Sequence, residues 1–122
     1  MGIARVLIAD DQPYIAQMLK IVLRKADFDV VVAQDGAEAL SMFSAEHPDI
    51  VILDLNMPKV PGWEVCRQIK AQSDTPVLII SGLPPTEIKA SQVAPGADDY
   101  LIKPFDIGVL LEHVQALLMQ SA

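Results

Sequence analysis

Residues 50–58 read IVILDLNMP. Ile50, Val51, Ile52 and Leu53 make an apolar run of strand length, with no polar residue alternating through it. Such a run fits a parallel strand covered on both faces by helices better than a half-exposed one. It leads straight into Asp54, and a carboxylate at the edge of a core is unfavourable unless something pairs with it. The fold around this strand and the company kept by Asp54 therefore have to be read together.

Four more short β-rich runs flank it: Arg5–Ala9, Asp29–Ala33, Val77–Ile80 and Tyr100–Ile102. Between them the apolar period lengthens to that of a helix. Ile15, Leu19, Val22 and Leu23 mark a first helical face. Ala37, Leu40 and Phe43 mark a second, opened by the capping spacing Asp35…Glu38. Trp63, Cys66 and Ile69 suggest a third, and Thr86 to Val93 a weaker fourth between Pro84-Pro85 and Pro95-Gly96. Ile107, Leu110, Leu111, Val114, Leu117 and Leu118 make the fifth and clearest. Strict alternation of strand and helix predicts a flavodoxin-like (βα)5 α/β fold, a doubly wound open parallel sheet with strand order 2-1-3-4-5.

The bulk composition agrees. With 122 residues, 52% of them hydrophobic, the chain suits a single domain spanning 1–122 with a real core. A formal net charge of −7 provides no basic footprint for nucleic acid and no attraction to an anionic membrane surface. The lone Cys66 rules out an internal disulfide and fits a reducing compartment. No stretch has the length of a membrane span. The start MGIARVLIADDQ lacks the layout of a signal peptide, and Val6 stands where a myristoylation site needs Ser or Thr. The expected location is cytoplasmic.

In a sheet of this order, ligands bind at the carboxyl ends of the strands, where the order reverses. The polar residues collect there: Asp10-Asp11 after the first strand, Asp54 after the third, Ser81-Gly82 after the fourth, Lys103-Pro104 after the fifth. Each alone has an ordinary explanation. Asp after a strand forms turns or caps helices, and Asp11, two residues before Pro13, suits a cap; Ser81-Gly82 makes a turn; Lys103 sits on a surface. Their joint occurrence at four strand ends argues for a site.

Three converging carboxylates repel one another and need counter-charge. Lys103 supplies one positive charge and a bound cation would supply more. Oxygen donors suit Mg²⁺, with Mn²⁺ an alternative, and Mg²⁺ completes its shell with water and phosphate oxygens. His47, His113 and Cys66 are scattered and offer no zinc site. The residues thus read as an acid cluster, a hard divalent cation, and an anion, best a phosphoryl group, held also by Lys103 and Ser81.

With these residues on the page, the whole chain closely resembles the receiver domain of two-component response regulators. The motifs are ADD at 9–11, PDIVILDLNMPKVPGWE at 48–64, SG at 81–82 and GADDYLIKPF at 96–105. The resemblance implies that Asp54 is the phosphoacceptor, taking a phosphoryl group from a sensor histidine kinase, a phosphotransfer protein or a small donor. It implies that Asp11 binds Mg²⁺ directly, Asp10 mainly through water or hydrogen bonds, and Asn56 through its backbone carbonyl. Lys103 would pair with the phosphoryl oxygens. Ser81 would move toward the phosphoryl group, with Tyr100 turning inward as the aromatic switch. Lys103-Pro104 would be a cis peptide. A half-buried strand aromatic is the plainer account of Tyr100, and Met57 and Trp63 suit packing.

Other classes fit less well. A phosphatase of the haloacid-dehalogenase type would carry a second acid where Asn56 stands, and the length leaves no room for a cap domain. An FMN binder would need a hydroxyl- and glycine-rich turn where Asp10-Asp11-Gln12-Pro13 lies. A receiver-like interaction module would not need every phosphorylation residue. The resemblance makes this a signalling domain and not an enzyme. Its partner face would be the fourth helix, fifth strand and fifth helix, docking a downstream protein, a fused output domain or a second receiver. The chain is then a stand-alone receiver or part of a longer regulator or hybrid kinase.

Overall fold

The computed structural model describes residues 3–88, 94 and 96–120. The elements run β1 (Arg5–Ala9), α1 (Pro13–Lys25), β2 (Asp29–Ala33), α2 (Gly36–Glu46), β3 (Ile50–Asp54), α3 (Gly62–Gln72), β4 (Val77–Ser81), β5 (Asp99–Ile102) and α4 (Ile107–Gln120). All strand pairs are parallel and the order is β2-β1-β3-β4-β5, as expected.

The unbroken apolar runs are explained by what covers them. One side chain parity of the strands (Leu7, Ala9, Val51, Leu53, Val77, Ile79) packs against Ala39 and Phe43 of α2 and Val65, Cys66 and Ile69 of α3. The other (Val6, Ile8, Ile50, Ile52, Leu78, Ile80) packs against Ala16, Leu19 and Leu23 of α1 and Leu110, Val114 and Leu117 of α4. Every residue of β3 and β4 is buried, which places β3 at the centre of the molecule. Among the described residues two helices cover each face, so alternation with solvent has no place here.

Some expectations shift. β3 and β4 each run one residue further than the apolar pattern suggests, so Asp54 and Ser81 are strand residues and not loop residues. β5 begins one residue earlier, at Asp99. Asp11 does not cap α1: the cap position is Gln12, with no side-chain cap bond, and Pro13 opens the helix. Asp35 does cap α2, accepting the Glu38 N–H at 2.8 Å. Of the fourth helix expected over 86–93, a 3-10 turn at Pro85–Glu87 is described, and residues 89–93 lie outside the described residues. The fifth expected helix is α4. His113 ties that helix to β5: its Nδ1 lies 2.5 Å from Asp99 Oδ2. Among the described residues no helix is long and apolar enough to cross a membrane.

Cys66 is fully buried, and burial pushes its thiol up to about 11, with Asp98 adding to the rise and Lys70 opposing it. Ellman's reagent at pH 8 is therefore expected to label native protein more than about a hundredfold more slowly than unfolded protein. Equal rates would show that α3 opens readily from the sheet.

Candidate functional site

The switch point lies between β1 and β3, the strands that lead outward in opposite directions. Asp10 follows β1 and Asp54 ends β3, and both follow the parity of Ile8 and Ile52 that faces α1 and α4. Both are almost wholly buried, at 1% and 5% exposure, whereas Asp11 is exposed. One carboxylate oxygen from each of Asp10, Asp11 and Asp54 falls within 4.8 Å of the others. These are the three acids that the sequence reading expected to converge.

Local bonds fix the two buried acids. Asp10 N–H continues the ladder to Ala33 O at 3.2 Å, and Asp10 Oδ1 accepts the Gln12 N–H at 2.9 Å. Asp54 Oδ1 likewise accepts the Asn56 N–H at 3.1 Å. These are the side-chain turns that Asp forms with the backbone two residues on. Each turn orients its carboxylate and leaves the second oxygen free to face the crevice.

Lys103 fills that crevice. Its Nζ lies 3.2 Å from Asp10 Oδ2 and 3.3 Å from Asp54 Oδ2, with the side chain one-fifth exposed. Charge-assisted bonds are ordinarily ~2.7–2.9 Å, so the ammonium straddles the two acids without gripping either. The peptide that follows, Lys103-Pro104, is cis. Burial raises the Asp54 carboxyl above its ordinary value, and the charge of Asp10 adds to this; the Asn56 N–H and Lys103 pull the other way. At an effective dielectric near 20, two carboxylates ~5 Å apart repel by about 3 kcal/mol. Three acids facing one lysine leave a net charge of −2, which suits a divalent cation with hard oxygen ligands. The donor set fits Mg²⁺ and does not fit zinc.

Ser81 and Tyr100 belong to the other face. Ser81 has the parity of Ile79, and its Oγ accepts the Leu83 N–H at 3.2 Å. It lines a cavity of about 310 Å³ with Asn56, Trp63 and Leu83. Tyr100 pairs with Ile79, is half-buried, and packs on the α2–α3 core with Ile88 and Ala97. Ser81 O also accepts the Lys103 N–H at 2.7 Å, tying the end of β4 to the residue that bridges the acids. Met57 is buried in the same core and Trp63 packs on it, as expected of packing residues.

Two glycines escaped the sequence reading. A Cβ at Gly62 would lie 2.1 Å from Asp54 O, and one at Gly36 would lie 1.8 Å from Val60 O. Gly62 N–H donates to Leu55 O at 2.9 Å. A glycine in the first turn of each of α2 and α3, where Ala would favour the helix, was the available signal.

A doubly wound parallel sheet with an acid trio and a lysine at its switch point defines a class of phosphoryl-handling signalling folds. The chain belongs to the response regulator receiver domain family, whose sequence model matches residues 6–115. It is 36% identical over 117 residues to the response regulator ArlR of Staphylococcus aureus, covering 96% of this chain and 53% of that one. The chain spans about half the length of the curated relatives it matches. Among solved structures, the Francisella response regulator 1452 receiver domain superposes with a TM-score of 0.89 at 37% identity, covering 98% of this chain and 99% of that one. The chemotaxis protein CheY4 of Vibrio cholerae gives 0.87 at 35% identity, covering 95% and 99%. Receiver domains are in general signalling domains of two-component systems and bind Mg²⁺ through an acidic pocket.

Proposed function

We propose that this chain is a phosphoacceptor receiver, a single domain over 1–122 working in the cytoplasm, phosphorylated on Asp54 with Mg²⁺ or Mn²⁺ bound by Asp10, Asp11, Asp54 and the Asn56 carbonyl. The observation that carries this is the Lys103 ammonium set between the buried Asp10 and Asp54, with Asp11 completing the acid trio. Bound there, the cation neutralises the acids and the incoming phosphoryl oxygens. Asp54 supplies the nucleophile from the rigid end of the central strand. A carboxylate oxygen attacks phosphorus and the bond from phosphorus to the donor breaks. With a phosphohistidine donor, the electron pair stays on the imidazole nitrogen, which then takes a proton. Lys103 exchanges its loose contact with Asp54 for a phosphoryl oxygen, and the Asn56 N–H holds the carboxylate in line. Positioning and charge neutralisation suffice for this chemistry.

Ser81 donates its hydroxyl to a phosphoryl oxygen, which releases the Leu83 N–H and draws the end of β4 toward the site. Tyr100 turns inward on the same face. The consequence is a changed partner surface on β5, α4 and the segment between β4 and β5. A sensor histidine kinase or phosphotransfer protein supplies the phosphoryl group. A downstream protein, an attached output domain or a second receiver reads the change.

Treatment with acetyl phosphate and Mg²⁺, followed by intact-mass measurement, is expected to add one phosphoryl group to wild type. The same treatment should add none to Asp54→Asn, and none to wild type in EDTA. Absence of an adduct on wild type, together with no spectroscopic response to beryllofluoride, overturns the proposal.

A further inference from the structure

The segment from Leu55 to Pro61 carries Asn56, and its shape is imposed from α2. At its centre Lys59 has φ +70, a left-handed conformation that a side-chain-bearing residue adopts only against steric opposition. Val60 N–H donates to Pro58 O at 2.9 Å around it. A two-residue closure about a positive φ is the strained form of γ-turn and persists only where surroundings over-determine it.

The surroundings are the first residues of α2. Gly36 N–H also donates to Pro58 O, at 3.3 Å, and the bare Cα of Gly36 seats against the Val60 carbonyl, where any Cβ would collide. Asp35 divides its carboxylate between two tasks: Oδ1 caps α2 through Glu38, and Oδ2 faces Lys59 Nζ at 3.4 Å. The strained lysine therefore reaches back to the residue that starts the helix on which its own turn rests. On the opposite side, Gly62 N–H holds Leu55 O. The loop is gripped at both ends, and the grip from α2 meets it two, three and four residues after Asn56, at Pro58, Lys59 and Val60.

We infer that Asp35, Gly36 and Lys59 are positioning residues for the cation: they hold the 55–61 loop so that the Asn56 carbonyl and the Asp54 carboxylate are presented together. None of the three touches the acid trio, and all act through the loop. The inference rests on the cation reading given above. It makes a prediction of unusual sign. Lys59 is a positive charge near a proposed cation site, so simple electrostatics says that removing it strengthens Mg²⁺ binding. Positioning says that removing it weakens binding.

The test is calorimetric titration of MgCl₂ into wild type, Lys59→Met, Lys59→Arg, Asp35→Asn and Gly36→Ala, with amide hydrogen exchange of the metal-free proteins alongside. Met keeps the Lys stem without its charge, and Asn keeps a good cap without the carboxylate. Lys59→Met and Asp35→Asn are expected to weaken Mg²⁺ roughly threefold, as suits an exposed ion pair. Lys59→Arg should restore wild-type affinity, and Lys59→Met with Asp35→Asn together should be no worse than either alone. Gly36→Ala should weaken binding about tenfold, as loss of an outer support does in metal sites. The Val60 and Gly62 amides should exchange faster in Lys59→Met than in wild type. Unchanged or tighter Mg²⁺ binding by Lys59→Met overturns the inference, even if Gly36→Ala fails to fold. Should wild type bind no Mg²⁺, the cation reading fails, and exchange at Val60 and Gly62 still decides whether the grip exists.

Discussion

Asp54→Asn is expected to stabilise the metal-free protein at neutral pH, by about 2 kcal/mol and several degrees in melting temperature. The carboxylate is nearly buried, shares its crevice with Asp10, and meets Lys103 only at 3.3 Å. Burial, with the Asp10 charge behind it, raises its pKa in the folded state, so folding there favours the proton-bound form. The native chain consequently holds more protons than the unfolded chain between the ordinary carboxylate pKa and the raised value. Stability must then fall as pH rises through that window and stay low above it. Asn is nearly isosteric, still accepts the Asn56 N–H, and carries no charge. The gap between Asp54→Asn and wild type should open as pH rises from about 4 toward neutrality, and Mg²⁺ should narrow it by stabilising wild type. Thermal melts across pH, with and without Mg²⁺, measure it. A destabilised variant at pH 7 would mean that the Lys103 contact outweighs the burial.

This prediction shows why the opening stretch could be read so far from sequence. A fully buried central strand has a distinctive apolar composition, and the carboxylate at its end gains meaning from the polar groups that end the neighbouring strands. Asp10, Asp54 and Lys103 were legible because strand order converts their positions along the chain into neighbours in space, and the apolar runs set that order. Ser81 and Tyr100 were legible as positions only. The Leu83 bond of Ser81 and the packing of Tyr100 depend on which face of the sheet each side chain takes. The one-residue extension of β3 and β4 escaped because polar residues end an apolar pattern whether or not the ladder continues. Gly36, Lys59 and Gly62 escaped for a different reason. Their roles come from backbones of separate elements meeting at close range: the two glycines in first helical turns hint at it, and nothing in the pattern marks Lys59.

Gly62→Ala is expected to cost about 3 kcal/mol or more, beyond the usual range for a surface helix and opposite in sign to helix propensity. Gly62 opens α3 behind Pro61, where Ala would ordinarily be preferred for the helix. The added Cβ would stand 2.1 Å from Asp54 O and 2.6 Å from Leu55 Cα, both backbone atoms, so no side chain can turn aside to admit it. Either α3 lifts from the sheet, exposing Val65, Cys66 and Ile69, or the residues just after β3 are pushed outward. The second response moves the peptide that bears Asp54 and breaks the Gly62 N–H bond to Leu55 O. Gly82 is the control: a Cβ there meets nothing within 4 Å, so Gly82→Ala should shift stability by less than about 1 kcal/mol. Urea denaturation of both variants measures the difference, and the midpoint of Gly62→Ala should drop with its slope unchanged. A variant as stable as wild type would mean that α3 can slide along the sheet without loss. In that event phosphorylation of Gly62→Ala by acetyl phosphate would show whether the proposed phosphoacceptor tolerates the slide, since Asp54 and the helix are joined by only the 55–61 loop.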